Sequence, residues 1–270
     1  MEEHDKVAVR GLLTVQRALD VMSAFTESRP EWGVTELATQ LGTHKPAIHR
    51  ILWTLAQGGY VVSDPRTSRY LLGPRLISLG IVAQRSAGIG IIVQPILQQL
   101  VRVTRESALF TVRDGSSYIV AGWAAGPEPL HYASTIGRSY PWYAGSTGHA
   151  IFAYVPESEI QVMARMGFAT SSPRGPHSLE DVLERYDKVR LDGYSISIRE
   201  VNERLGVVAA PVRDSGTVIG SISIAGVAES IEKAQVSTVE VVLQAAARLS
   251  NLLATRSTED HKFPVAPPPT

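Results

Sequence analysis

Apolar residues recur at helical spacing through the first third of the chain, then switch between helical and strand periods. Val15, Leu19, Met22 and Phe25 predict a helix from about Thr14 to Thr26, ended by the polar, proline-containing stretch from Glu27 to Pro30. Val34, Leu37, Ala38 and Leu41 fall at i, i+3, i+4 and i+7, and Ile48, Ile51, Leu52 and Leu55 repeat that spacing. Each of these short segments therefore has one apolar face. Gly42 between them suits a positive φ, Thr35 and Thr43 are the expected N-caps, and Pro46 fits a first helical turn, where its missing N–H removes no intrahelical bond. Two helices joined by a tight turn follow, with the second beginning near His44 to Pro46. Beyond Gly58-Gly59-Tyr60, the run Val61-Val62-Ser63, the turn Asp64-Pro65-Arg66-Thr67-Ser68 and the run Arg69-Tyr70-Leu71-Leu72 predict a β-hairpin, the wing of a winged helix. Leu76, Leu79, Ile81 and Val82 mark a linking helix to about Ser86, and Gly88 and Gly90 a hinge.

From about Ile89 to Ser257 the pattern is that of an α/β domain. Ile91 to Thr104 is helical in period, and Ala108 to Arg113 and Tyr118 to Trp123 are strand-like around the turn Asp114-Gly115. A loop rich in Gly, Pro and aromatics runs from Ala124 to Tyr143. Helical stretches follow at Thr147 to Tyr154 and Pro156 to Met166. Ser178, with Asp181 three residues on, opens another helix to about Leu191. Tyr194 to Ile198, Val207 to Val212 and Val218 to Ala225 read as strands, and Ala234 to Ala254 as a last helix. The expected organisation is α+β: a winged helix-turn-helix over residues 10–73, a linker helix over 74–88, a second domain over 89–257, and a compositionally disordered tail over 258–270.

Bulk composition adds little beyond solubility, but local charge adds a great deal. The chain has 270 residues, 44% hydrophobic and 19% charged, with a formal net charge of zero. No run reaches the length of a membrane span and the amino terminus is too polar for a signal peptide, so a cytoplasmic location is expected. The absence of cysteine excludes disulfides and Cys-based zinc sites. From Thr43 to Arg75, however, Lys45, Arg50, Arg66, Arg69 and Arg75 are opposed only by Asp64. With Ile48, Ile51, Leu52 and Leu55 turned inward, the outward face near the start of the second helix presents Thr43, His44, Lys45, Ala47, His49 and Arg50. That is the end a recognition helix places in the major groove of double-stranded DNA, with Arg66 and Arg69 on the wing expected to meet the backbone. Trp53 on the same helix is expected to pack against its own domain or a partner helix. Arg10 is a candidate for a phosphate or minor-groove contact, although a solvated terminal arginine fits as well.

In their order and spacing, several local strings resemble the IclR family of bacterial transcriptional regulators. They are Val34 to Leu41, His49 to Leu52, Gly59-Tyr60-Val61, Arg69 to Gly73, Ala144 to Ala150, Asp192-Gly193-Tyr194, Ala209 to Val212 and Gly220 to Gly226. The resemblance covers about Leu13 to Leu253. It implies an amino-terminal winged helix, a linker helix, a GAF-like effector-binding domain, assembly as a homodimer or homotetramer, and a palindromic operator. Departures from the family pattern are Pro46 and Ala47 where a small hydroxylated pair is usual, His149 in place of a common Lys, Arg204 in place of a common Gly, and Ser197 in place of a common acidic residue.

The resemblance places the turn Gly145-Ser146-Thr147-Gly148 opposite the strand Val218 to Gly226. Alternation puts Val218, Ile222 and Ile224 on one face of that strand and Ile219, Ser221, Ser223 and Ala225 on a smaller, partly polar one. Helix amino ends favour anions, so a small organic acid is expected there. Trp123, His131, Tyr132, Trp142 and Tyr143 enrich the neighbouring loop in rings, which either enclose an aromatic body, favouring an aromatic carboxylate, or simply cap the core. The candidate effector contacts are Trp142, Gly145, Ser146, Thr147, Gly148, Ser197, Val207, Ser221 and Ser223, with Ser223 and the backbone after Gly145 expected to hold the carboxylate.

Enzymatic chemistry finds little support. Ser146 in GSTG does not make a GxSxG elbow, and neither HExxH, a P-loop nor a GxGxxG strand-to-helix turn occurs. The seven histidines lack paired metal-ligand spacing. No cofactor and no metal site is expected. His131, His149 and Glu200 sharing a general-base site is the catalytic alternative, and an enzyme or carrier domain with an incidental winged helix is the alternative reading of the whole chain.

Overall fold

The structure is a computed structural model that describes residues 12–26, 28–86, 88–128, 131–168 and 172–257. Arg10, Glu27 and the 258–270 tail lie outside the described residues. The chain divides into two compact units, Met1–Ala83 and Gln84–Thr270. Among the described residues no single helix is long and apolar enough to cross a membrane.

The first unit holds α1 (Leu13–Ser23), β1 (Glu31–Trp32), α2 (Val34–Gln40), α3 (Lys45–Gln57), β2 (Val61–Asp64) and β3 (Arg69–Leu72), and α4 (Pro74–Ser86) runs out of it. Val21, Phe25, Trp32, Leu37, Ala38, Ile48, Ile51, Leu52 and Val61 form its core, which matches the inward face read from helical spacing in α2 and α3 but not in α1, where Val21 is buried while Val15 and Leu19 are exposed. Trp32 is held by its indole N–H, which donates to the Ala24 carbonyl at 2.9 Å. Gly42 takes φ +58° between α2 and α3 as expected. The caps differ from expectation: Gly33 and His44 occupy the N-cap positions with no side-chain cap bond, so neither Thr35 nor Thr43 caps a helix. The sheet order is β1-β3-β2, all antiparallel, so the wing gains a third short strand through Glu31 and Trp32 pairing with Leu71 and Tyr70.

The second unit opens with a π-helical turn, Ile89–Val93, that runs directly into α5 (Gln94–Thr104). There follow β4 (Ser107–Asp114), β5 (Ser117–Ala124), β6 (Ser139–Pro141), α6 (Gly145–Phe152), α7 (Glu157–Ala164) and α8 (Leu179–Asp192). The unit closes with β7 (Ser195–Ile198), β8 (Leu205–Asp214), β9 (Thr217–Val227), α9 (Ala228–Lys233) and α10 (Gln235–Ser257). Its six-stranded antiparallel sheet has the order β6-β5-β4-β9-β8-β7. One face is apolar: Ala108, Phe110, Val112, Val208, Ala210, Ile222 and Ile224 pack against Ile96, Leu97 and Leu100 of α5 and Val242, Ala246 and Leu249 of α10. The other face takes α6, behind which α7 and α8 bury Ile160, Met163, Val182, Tyr186 and Val189. Ser178 caps α8 as expected, accepting from the Asp181 N–H at 3.1 Å.

One strand assignment is corrected. Between Val212↔Gly220 and Arg213↔Val218 the register shifts, which leaves Ile219 as an extra residue in β9. Strict alternation fails there. Ile219 joins the apolar face with Ile222 and Ile224, and Val218 packs in the opposite layer.

Candidate DNA-reading face and effector cleft

In α3, Ile48, Ile51 and Leu52 are buried, which leaves Lys45, His49 and Arg50 exposed and His44 exposed just before the first turn, with Thr43 and Ala47 partly covered. Arg50, Ala47 and Thr54 line a groove against Thr14, Arg17 and Ala18 of α1. Arg17 was not legible in the sequence as part of this face, because only the α1–α3 packing brings it beside Arg50. Trp53 is corrected with respect to its own domain: it is 59% exposed and joins no part of the core.

The two wing arginines differ. Arg66 is 90% exposed, and its backbone N–H donates to the Asp64 carboxylate at 2.9 Å, an Asx turn at the wing tip. Arg69 instead donates to both carboxylate oxygens of Glu36, at 3.1 and 2.9 Å, and pairs with Glu31 at 2.9 Å. Its charge holds the Glu36 carboxyl below the usual range, with help from Arg29. Arg69 thus ties β3 to α2 and β1, and its guanidinium is taken.

In the second unit the first turn of α6 meets the sheet in a narrow cleft of about 30 Å³, enough for a water or two. Gly145 has φ +61°, and a Cβ there would stand 2.8 Å from Val201, so the turn requires glycine. The Ser146 N–H donates to Ser197 Oγ at 3.0 Å, Ser197 Oγ donates to Ser146 Oγ at 3.1 Å, and Ser146 Oγ donates to the Val207 carbonyl at 3.0 Å. This buried relay fixes the amino end of α6 over β7 and β8. Around it Tyr118 and Tyr140 stack with ring centroids 5.4 Å apart, Tyr132 and Tyr140 share a hydrogen bond at 2.9 Å, and Tyr118 donates to the Ala144 carbonyl at 2.9 Å. Burial raises the Tyr118 and Tyr140 hydroxyls well above their ordinary range, so both stay neutral donors. The side chains lining the cleft are apolar, hydroxylated or aromatic, and none carries a charge.

Of the predicted effector residues, Gly145, Ser146, Thr147, Ser197 and Val207 line this cleft. The other four do not. Trp142 is buried in the layer behind α6 against Tyr143, Phe168 and Tyr186. Gly148 is needed for packing, since a Cβ there would lie 2.7 Å from the Trp142 carbonyl. Ser221 is occupied by Thr111 Oγ1 at 2.9 Å and the Thr147 carbonyl at 3.3 Å. Ser223 lies on the same sheet face between Leu109 and Ala209, fully buried, and its hydroxyl has no partner among the described residues. The donor at the α6 amino end is therefore met by Ser197 and not by Ser223. Ala225, read onto the pocket-facing side of its strand, does line the cleft. The sequence reading missed Leu109, Thr111, Tyr118, Val120, Tyr140, Val201 and Leu205; alternation along β4 and β5 carries part of that signal, and the crossing of α6 over the sheet carries the rest.

His149, on the far side of α6, is buried, with Nε2 3.2 Å from the Tyr143 carbonyl and Nδ1 3.5 Å from Ser195 Oγ. Glu200 lies 4.0 Å from His149 Nε2 and pairs with Arg185. His131 is not brought to this pair; its Nδ1 lies 2.7 Å from the Glu128 carbonyl. Burial, then Arg185, lowers the His149 pKa to about 3, while burial raises that of Glu200. The ring is a neutral packing element.

Residues 14–65 match the model of the IclR helix-turn-helix domain, and residues 82–251 match that of the bacterial transcriptional regulator IclR C-terminal domain. The HTH-type transcriptional regulator XynR of Escherichia coli (strain K12) is 26% identical over 235 residues, 86% of this chain and 93% of that protein. A crystal structure of an IclR transcriptional regulator from Silicibacter sp. TM1040 aligns with a TM-score of 0.84 at 20% identity, covering 95% of this chain and 100% of that one. An IclR homolog from Microbacterium hydrocarbonoxydans, crystallised with 4-hydroxybenzoate, aligns with a TM-score of 0.71 at 17% identity, covering 90% and 99%.

Proposed function

The chain belongs to the IclR family and is a ligand-responsive transcriptional regulator, and from that premise we propose that α3 reads an operator while the α6 cleft receives an aromatic carboxylate. Residues 10–73 act as the DNA-binding domain, 74–88 as the linker and 89–257 as the effector domain. Lys45, His49 and Arg50 meet base edges or phosphates, with Thr43, His44 and Ala47 beside them at the start of the helix, and Arg66 meets the phosphate backbone. Arg69 is left out of this contact set because Glu36 and Glu31 hold it.

The observation that carries the effector reading is the Ser146 N–H, held at 3.0 Å by the Ser197 hydroxyl where the amino end of α6 faces a tyrosine-lined cleft. Helix amino ends favour anions through their dipole and amide donors. A carboxylate entering here replaces the hydroxyl as acceptor, and the hydroxyl turns to donate to it. An acidic side chain at position 197 would repel such a ligand; a serine does not. The cleft must widen to admit an aromatic ring, which Tyr118, Tyr132 and Tyr140 would then border. The 4-hydroxybenzoate complex of the Microbacterium homolog, although only 17% identical, supports the same choice of chemistry.

We place the protein in the bacterial cytoplasm as a homodimer or homotetramer. α4 buries none of its residues; Leu79 and Val82 stand exposed on one side of it, an apolar pair that a second copy would cover, and Ile77 and Ile81 on the other. Calorimetry of the full chain against benzoates and their uncharged amides tests the cleft. Heat with the acids alone, abolished in Ser197→Asp, is the expected outcome; heat with the amides, or with sugars or amines only, overturns it.

A further inference from the structure

The exposed face of α3 does not end with its cations. At 100° per residue, Pro46, His49, Arg50, Trp53 and Gln57 fall on the side opposite Ile48, Ile51 and Leu52, and each of the five is exposed. Trp53 lies at the centre of that side, one turn beyond His49 at i+4 and Arg50 at i+3, so all three must face the same surface. It is 59% exposed, an indole presented to water on a helix whose other apolar side chains are largely drawn inward. From Lys45 to Trp53 the helix rises about 12 Å, close to the width of the major groove.

We propose that Trp53 is a specificity residue that packs its indole against a thymine C5-methyl in the major groove, extending the base-reading surface of Lys45, His49 and Arg50 by one helical turn. This rests on the reading of α3 as the recognition helix. The methyl of thymine is the apolar feature among the base edges in that groove, and apolar side chains contact it there. The occupant is DNA rather than another protein surface because the indole continues the face that carries His49 and Arg50, and Arg17 adds a further cation in the groove beside Arg50.

The test begins with a duplex selected by the full-length chain from a random-sequence pool, each thymine of which is then replaced singly by deoxyuridine. Failure of the chain to select any sequence would count against α3 as a recognition helix, and the proposal would fall with it. If a duplex is selected, one thymine per half-site should weaken wild-type binding about fourfold when its methyl is removed, the equivalent of one buried methyl group. Trp53→Ala should bind the parent duplex roughly tenfold more weakly, with unchanged salt dependence and unchanged affinity for unrelated duplex, and should no longer distinguish the deoxyuridine substitution. Trp53→Phe should retain most of the discrimination and guards against a folding artefact. Equal sensitivity of wild type and Trp53→Ala to every methyl deletion overturns the assignment. So does a Trp53→Ala variant that sediments as a smaller species than wild type, which would give the indole to a partner subunit.

Discussion

Arg66 and Arg69 stand three residues apart on one hairpin, and their surroundings send them to different tasks. Arg66 is exposed and only loosely paired, 3.8 Å from the Asp64 carboxylate, so Arg66→Ala should weaken binding to all duplexes alike and flatten the salt slope by about one unit. Arg69 is clamped by Glu36 and Glu31, so Arg69→Ala should lower the thermal midpoint of the winged helix and leave the salt slope unchanged. Arg50→Ala should weaken specific binding by roughly 1–3 kcal/mol if it reads a base, and unchanged affinity for the selected duplex would remove it from the reading set. His149 supplies a prediction about acid. With its pKa near 3 in the fold and 6.5 as the ordinary value, the unfolded chain binds a proton between those limits that the folded chain does not. Stability therefore rises with pH across that window and is lost as pH falls below 6.5, by up to about 1.4 kcal/mol per pH unit. Glu200 acts with the opposite sign, since its raised pKa makes the folded state hold a proton longer as pH rises above 4.5. His149→Gln should flatten the acid-side slope of urea-unfolding free energy between pH 6.5 and 4; an unaltered slope would contradict a neutral buried ring.

At the scale of elements, the amino end of α6 is where geometry makes its strongest demand. Gly145→Ala places a Cβ against Val201 at φ +61°, so it should displace the turn and weaken effector binding while the sheet remains folded, which circular dichroism and calorimetry together would resolve. α3 and its start were legible in the sequence because Pro46, Gly42 and the Ile48–Leu55 spacing are local signals. The main strands of the larger sheet were legible for the same reason. β6 was not: Tyr140 pairs with Tyr118 from inside a long loop, and Pro141 ends the strand at the sheet edge, where no period can develop. The bulge at Ile219 inverted the faces read for it and Val218, since alternation carries no mark of an inserted residue. The choice of Ser197 over Ser223 depended on where α6 crosses the sheet, and the clamp on Arg69 comes from Glu36, far away in sequence; both are tertiary facts.

The whole molecule must join two sites that lie in different compact units, and a second copy is the expected means. Leu79→Asp combined with Val82→Asp should convert the sedimenting species to monomer if α4 packs against its counterpart; a wild-type monomer at micromolar concentration would reject that assembly. An effector shifts operator binding only as far as it binds the DNA-competent and DNA-incompetent states unequally, and couplings of this kind commonly reach 5–150-fold. On the proposed function, a carboxylate at the amino end of α6 changes how α3 holds DNA. The most direct measurement is the anisotropy of a labelled selected duplex with the full-length chain, titrated with a panel of aromatic acids and their amides, in wild type and Ser197→Asp. An acid that changes duplex affinity at least fivefold, with its amide inert and the response absent in Ser197→Asp, is the expected outcome. An acid and its amide acting alike, or a response undiminished by Ser197→Asp, would contradict it.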